Sequence, residues 1–119
     1  MAGIQLIRGF KDILPGETEL WKYIEKIAVD VFESFGFKEI RLPVLEHSEL
    51  FARSIGADTD IVEKEMYTFP DRKGDLITMR PEATASVVRA YIQHKLYAKD
   101  PVQKFYTIGP MFRRERPQK

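Results

Sequence analysis

The sequence predicts an α+β fold in which an antiparallel sheet is flanked by helices. Two long segments carry apolar residues at helical spacing, and short strand-like segments lie between and after them. Turn sequences rather than helical crossovers join the strand-like segments that follow each other most closely. This order favours antiparallel pairing over a parallel, doubly wound sheet.

The first long segment predicts a helix over residues 17–35. Pro15 and Gly16 precede it, Thr18 is a candidate cap, and Gly36 has the character of a residue that ends a helix. We expect the large side chains of its apolar stripe to lie in the core. The stripe comprises Leu20, Trp21, Ile24, Ile27, Ala28, Val31, Phe32 and Phe35.

The second segment, 37–45, alternates apolar and charged residues and predicts a strand. Pro43 lies inside this strand and cannot donate a ladder hydrogen bond, so the strand is an edge or is interrupted there. The pattern fits a docking place for a second subunit and an ordinary sheet edge equally well. The remaining predicted elements are a helix at 48–55, a hairpin of strands 66–69 and 76–79, a helix over about 82–96, and a strand at 102–108.

Composition narrows the classes of function. Of the 119 residues, 44% are hydrophobic and 31% are charged, which is typical of a globular domain. A net charge of +1, from 19 basic and 18 acidic residues, gives no global attraction to nucleic acid. Cysteine is absent, so disulfides and thiolate metal sites are excluded. The N-terminus lacks the apolar run of a signal peptide and no segment approaches membrane-spanning length, so we expect a cytoplasmic protein without membrane contact.

Two clusters can carry chemistry, and the first is Arg113-Arg114-Glu115. On a strand, alternate side chains share a face, so Arg113 and Glu115 point one way and Arg114 points the other way. An arginine fork binds phosphate or carboxylate, and a glutamate accepts a hydrogen bond from an amino group, so the pair can grip a nucleotide. A solvated strand end with self-paired charges explains the same residues.

The second cluster is Arg80-Pro81-Glu82-Ala83-Thr84, at a strand-to-helix corner. The carboxylate of Glu82 and the hydroxyl of Thr84 can hold an ammonium group, and helix capping is the plainer explanation. Neither His47 nor His94 has an acid–base partner in the sequence, and we interpret both as structural or surface residues. No phosphate loop, zinc spacing or nucleophile elbow is present, so we predict no metal site, and any chemistry would rest on positioning and charge.

The motifs resemble those of the histidyl-tRNA synthetase family. The members of this family are class II aminoacyl-tRNA synthetases. Residues 8–15 look like the N-terminal signature and 36–45 like motif 1. Residues 62–69 look like the strand that follows, 79–84 like the histidine-binding segment and 105–119 like the start of motif 2. The resemblance implies that residues 1–119 are the N-terminal part of a class II catalytic domain. The remainder of that domain and an anticodon-binding domain are absent from this sequence.

This resemblance implies ATP-dependent activation of histidine and its transfer to tRNA(His) by a homodimeric longer enzyme, with Mg²⁺ bridging the ATP phosphates. Glu82, Ala83 and Thr84 would bind histidine, with Glu82 and Thr84 at its α-amino group. Arg113 would be the catalytic residue and would contact both the histidine carboxylate and the ATP α-phosphate. Glu115 would lie near the adenine amino group. Motif 1 would build the dimer interface.

The sequence departs from the family pattern at Ala83, which is usually glycine, and at Met79, which is usually threonine. We expect Ala83 to be tolerated if its φ is negative. A regulatory subunit of histidine biosynthesis that resembles the synthetase without aminoacylating is the alternative interpretation, and a synthetase-like domain of a stress kinase is a third. The arginine-x-glutamate pair favours the enzyme, because a regulator has no need of a nucleotide grip.

Overall fold

A computed structural model describes residues 3–55 and 65–114 of the chain. The chain divides into two units, residues 1–36 and residues 37–119, and each unit is treated by itself. None of the helices in the described residues has the length and apolar character needed to cross a bilayer.

The first unit contains helix α1, Glu17–Ser34. Gly16 precedes it with a φ of 99°, which favours glycine, and Glu17 and Glu19 place negative charge at the positive end of the helix dipole. The expected cap, Thr18, instead lies within the first turn. Gly36 follows the helix with a φ of 82° and donates its N–H to the Glu33 carbonyl, which confirms the predicted end.

The expectation that the α1 stripe lies in the core is wrong for this structure. No residue of α1 is buried; Trp21 is 47% exposed and Phe35 is 67% exposed. A unit with one helix and an extended N-terminal segment has no second layer of its own to cover a wide apolar face. The stripe therefore remains an exposed apolar surface.

The second unit contains a three-stranded antiparallel sheet in the order β2, β4, β3, which confirms the predicted sheet type. Its strands are β2 (Leu45–His47), β3 (Thr68–Pro70) and β4 (Leu76–Met79). The predicted β3–β4 hairpin is present, and the Asp71 carboxylate accepts the N–H groups of Lys73 and Asp75 in its turn. Leu45 pairs with Met79, which sets the register of β2 on β4.

The predicted strand over 37–45 is broken into two strands that lie in different sheets. β1 (Lys38–Glu39) pairs in parallel with β5 (Phe105–Tyr106), whereas β2 joins the antiparallel sheet. Pro43 lies between them, where its missing N–H makes an interruption inexpensive. The parallel pair was not predicted, because its strands are separated by most of the second unit.

The helices of the second unit are α2 (Ser48–Ile55) and α3 (Thr84–Gln93). α2 matches its predicted bounds, while α3 is shorter than predicted at both ends. α3 begins only after Glu82, whose carboxylate accepts the Ala85 N–H. It ends before Lys95, which has a left-handed φ of 51° and precedes a 3₁₀ turn at Leu96–Ala98.

α2 contacts both β4 and α3. The small apolar core of this unit consists of Phe51, Met66 and Ala85, with Leu50 packed against them.

Polar contacts supplement this small core. The Thr78 hydroxyl is fully buried and hydrogen-bonds to Ser48 at 2.6 Å and to Thr68 at 2.8 Å. The buried Glu46 carboxylate accepts a 2.7 Å bond from Arg89 Nε, which ties β2 to α3. Removing one partner of such a pair leaves an uncompensated buried charge.

We therefore expect Arg89→Ala to destabilise the chain, because Glu46 would keep its charge without a partner. Arg89 is 29% exposed, so the loss should lie toward the lower end of about 3–5 kcal/mol. Denaturant unfolding measures it. The control is Arg53→Ala, which removes the exposed 3.6 Å Arg53–Glu49 pair and should cost under about 1 kcal/mol. Equal losses in the two variants would contradict the assignment.

Candidate functional site

The two sequence clusters that were predicted to carry chemistry adjoin in the structure. Arg113 Nε donates to the Pro81 carbonyl at 3.0 Å, and the Phe112 N–H donates to the Arg80 carbonyl at 2.9 Å. These two bonds link positions 32 residues apart in the sequence. Arg113 is therefore held beside the residue that immediately precedes Glu82.

Arg80 is the residue that joins the segments. In the sequence it stands out only as the first residue of the cluster at the strand-to-helix corner, with no role of its own. It is 4% exposed, and its guanidinium donates from Nε to the Pro110 carbonyl at 3.0 Å and from Nη1 to the Leu42 carbonyl at 3.1 Å. Its backbone N–H donates to the Val44 carbonyl at 2.8 Å. No local signal marks Arg80 as buried, because its partners come from distant parts of the sequence.

Glu82 caps α3 in this structure. Its carboxylate accepts the Thr84 N–H and, at 3.1 Å, the Ala85 N–H, and its side chain is half-buried. The capping explanation is therefore correct for the chain by itself. It does not exclude ligand binding, since an ionised carboxylate has about four acceptor positions and the cap uses only part of them.

Ala83 has a φ of −105°, so its methyl group causes no backbone strain. The condition for tolerating alanine in place of the usual glycine is met. Thr84 is exposed at the first position of α3, where its hydroxyl can reach a ligand. Glu82, Ala83 and Thr84 thus form a rigid corner whose backbone is fixed by the cap.

An open groove of about 650 Å³ runs along α3 from this corner. Glu82 and Thr84 lie among its lining residues, while Val88 and Ile92, which are 50% and 60% exposed, give it an apolar floor. Among the described residues, Arg113 does not line this groove. The corner therefore faces two environments, an apolar groove along the helix and the contact with Arg113.

The strand assumed for the cluster of Arg113 and Arg114 is not formed, because β5 ends at Tyr106 and residues 107–114 have no strand structure. Arg114 nevertheless has a side-chain partner different from that of Arg113. Its guanidinium lies 5.6 Å from the centre of the Tyr67 ring, within cation–π range, and its N–H donates to the Glu65 carbonyl at 2.7 Å. The predicted adenine contact, Glu115, lies outside the described residues. Of the arginine-x-glutamate pair, the structure therefore describes only Arg113.

Both histidines are exposed, which agrees with their interpretation as structural or surface residues. Within residues 3–55 and 65–114, no group of three His, Cys, Asp or Glu side chains is arranged to hold a metal ion. The Glu82 carboxylate at the corner and the Arg113 guanidinium, which contacts the preceding Pro81, carry opposite charges. Opposite charges at adjoining positions suit a small ligand that carries both an ammonium and an anionic group.

Comparison with known proteins gives a consistent family. The family model described as histidyl-tRNA synthetase matches residues 9–119. A histidine–tRNA ligase from Desulforapulum autotrophicum is 77% identical over 98% of this chain, which spans 27% of that relative's length. A crystal structure of apo S. aureus histidyl-tRNA synthetase superposes with a TM-score of 0.77 at 43% identity, covering 92% of this chain and 29% of that one.

A more distant structure shares only the fold. It is described as an ATP phosphoribosyltransferase regulatory subunit/histidyl-tRNA synthetase from Bacillus halodurans C, and it has a TM-score of 0.77 at 21% identity. The match covers 91% of this chain and 27% of that one. The family model, the high-identity relative and the S. aureus structure agree with the motifs read from the sequence. The chain belongs to the histidyl-tRNA synthetase family.

Proposed function

We propose that this chain forms the N-terminal part of the catalytic domain of a cytoplasmic enzyme that activates histidine with ATP and transfers it to tRNA(His). The observation that carries the proposal is the 3.0 Å bond from Arg113 Nε to the Pro81 carbonyl, which puts the proposed catalytic cation beside Glu82. The chain spans 27% of the length of the 77% identical relative, so the whole activity is proposed for the longer enzyme.

In the proposed reaction, a carboxylate oxygen of histidine attacks the α-phosphorus of ATP, and pyrophosphate leaves with the electrons of the broken P–O bond. Negative charge builds up on the α-phosphate oxygens, where the Arg113 guanidinium stabilises it. Glu82 and Thr84 hold the α-ammonium group so that the carboxylate is aimed at phosphorus. A hydroxyl at the 3′ end of tRNA(His) then attacks the acyl carbonyl of the adenylate, the new ester bond forms, and AMP leaves with the electrons of the broken C–O bond.

ATP enters as its Mg²⁺ complex. Magnesium is commonly held by substrate phosphates with one or two carboxylates rather than by a complete protein cage. Glu115, for which we propose a place near the adenine amino group, and the rest of the motif 2 loop would complete the ATP site. With a net charge of +1, the chain supplies no long-range attraction to RNA, so we assign tRNA recognition to the longer enzyme.

The regulatory-subunit alternative is not better supported. The relative at 77% identity is a histidine–tRNA ligase, whereas the structure described as a regulatory subunit or synthetase shares only the fold. Histidine-dependent exchange of pyrophosphate into ATP distinguishes the two, because a regulatory subunit that forms no adenylate gives none.

We expect Arg113→Ala in the longer enzyme to reduce histidine-dependent pyrophosphate exchange by about 10²–10³. Loss of one preorganised charge-stabilising donor costs about 2.7–4 kcal/mol in the transition state. Arg113→Lys should recover little, because an ammonium cannot span two oxyanions as a guanidinium does. Arg114→Ala is the control and should have a small effect, since that side chain lies over Tyr67. Near-normal exchange in Arg113→Ala would remove this residue from the mechanism.

We expect Glu82→Gln to raise the KM for histidine much more than the KM for ATP. The amide oxygen still accepts the Thr84 N–H, so the change removes mainly the charge that binds the ammonium. A buried charge left without its partner costs on the order of 2–5 kcal/mol, and half-burial puts this case at the lower end. Glu19→Gln changes a first-turn carboxylate of α1 and should leave both KM values unchanged. A selective loss of ATP affinity would contradict the assignment.

We propose that the enzyme is a homodimer whose interface includes the α1 stripe and the segment around Pro43. The stripe is exposed, as Ile24 at 52% and Ile27 at 48% illustrate, and full burial of such a side chain contributes about 1.5–3 kcal/mol. The family resemblance assigns the interface to motif 1, residues 36–45, which contains Pro43 and directly follows α1 in the sequence. Exposed apolar surface of this kind is costly unless it is covered.

Sedimentation of this chain at micromolar concentration should therefore show a dimer, and Ile24→Glu should shift it toward monomer by burying an unpaired charge. Lys26→Gln makes the same change in net charge on the polar side of α1 and should leave the dimer intact. A clean monomer of the unaltered chain, or a dimer indifferent to Ile24→Glu, would overturn the proposed interface.

A further inference from the structure

Arg80 directly follows β4 and contacts two segments that are distant from it in the sequence, 42–44 and 110–112. Its guanidinium donates to the carbonyls of Leu42 and Pro110, and its own carbonyl accepts the Phe112 N–H. We call Arg80 together with Leu42, Gly109 and Pro110 the Arg80 junction. Two of the contacts fix the chain within three residues of Arg113.

Burying the Arg80 guanidinium at the junction costs free energy. Arg80 is 4% exposed, and no ion pair among residues 3–55 and 65–114 includes it. Burying a cation without a carboxylate costs free energy that carbonyl hydrogen bonds offset only in part. An apolar side chain would fill the position without that cost. A guanidinium, unlike an apolar side chain, fixes the orientation of its partners, because its planar donors hold two carbonyls at a fixed mutual angle.

Gly109 lies against this guanidinium. A Cβ atom at position 109 would lie 2.5 Å from Arg80 Nη2, so the hydrogen-bonded guanidinium would have to shift to admit it. Its backbone does not require glycine, since it lacks the positive φ seen at Gly16 and Gly36. The glycine is therefore explained by the close approach of Arg80 and not by backbone conformation.

We propose that Arg80 is a positioning residue for the adenylation reaction, acting through Pro110 and Phe112 to set the position of Arg113. The bond from Phe112 N–H to the Arg80 carbonyl and the bond from Arg113 Nε to the Pro81 carbonyl are neighbouring links between the same two segments. A shift of the Phe112–Arg80 bond therefore also shifts the Arg113–Pro81 bond. This inference rests on the proposed function, because it gives Arg80 its role through the catalytic cation.

The test measures pyrophosphate exchange in the longer enzyme, normalised to the number of active sites by the amount of adenylate formed at the end point. Arg80→Lys keeps the charge but offers one donor group in place of the fork. A misplacement of about 1 Å at the reacting centre costs on the order of 10²-fold, so we expect kcat to fall about 10–100-fold. The KM for histidine should change less than about threefold, because the Glu82 carboxylate still accepts the N–H groups of Thr84 and Ala85.

Gly109→Ala is the second variant, and it removes no hydrogen-bonding group. The new methyl must push the Arg80 guanidinium away, and we expect a smaller loss of kcat in the same direction. This variant carries the test if Arg80→Lys does not fold, as thermal melting will show. The matched controls are Gly3→Ala, where a methyl meets nothing within 4 Å, and Arg53→Lys at an exposed arginine; both should match the unaltered enzyme.

The decisive measurement combines each change with Arg113→Ala. If Arg80 acts through Arg113, Arg80→Lys should cost less than about twofold once Arg113 is gone, because coupled residues are not additive. A full additional loss would show that Arg80 affects the reaction by another route and would overturn the proposal. So would an unchanged kcat in both single variants while Arg113→Ala is strongly impaired. Normal exchange in Arg113→Ala would also overturn the proposal, because Arg80 would then have no catalytic cation to position. Absence of histidine-dependent exchange in the unaltered longer enzyme, by contrast, would refute the proposed function itself.

Discussion

A buried guanidinium at the end of β4 constrains most of the second unit around it. The cation of Arg80 must find acceptors inside the protein, because leaving its donors unsatisfied would cost several kcal/mol. Those acceptors are carbonyls from the segments at 42–44 and 110–112, so both segments have to lie beside Arg80. The corner that carries Glu82 and the segment that carries Arg113 are thereby brought to one place.

The same unit depends on polar contacts because its apolar core is small. Phe51, Met66 and Ala85 form the buried cluster, while many large apolar side chains outside it are exposed. The Glu46–Arg89 pair and the hydroxyls that meet at Thr78 join β2, β3, β4, α2 and α3 with defined geometry. Hydrogen bonds are directional, whereas apolar burial is not, so these contacts specify how the elements meet. The exposed apolar surface is consistent with a unit that is completed by further protein.

The proposed site uses structural contacts to hold its functional groups. Glu82 is oriented by the N–H groups of Thr84 and Ala85, and Arg113 is oriented by the Pro81 carbonyl. A carboxylate fixed as a cap and a guanidinium fixed by a carbonyl lose little conformational freedom when a ligand arrives. Their opposite charges complement an amino acid, whose ammonium and carboxylate must be held apart and aimed in one direction. Capping and ligand binding are therefore compatible roles for Glu82.

Local sequence determined the helices, the β3–β4 hairpin and the two candidate clusters, because apolar periodicity, turn residues and charge spacing act within a few residues. Motif resemblance added the family. The tertiary structure decided what depends on distant contacts: the parallel pairing of β1 with β5, the break around Pro43, and the exposure of Trp21 on α1. It also decided that Arg80 is buried against Gly109, since nothing near either residue in the sequence reveals the other. The meeting of Arg113 with Pro81 has the same origin, because hydrogen bonds across 32 residues form only after the chain has folded.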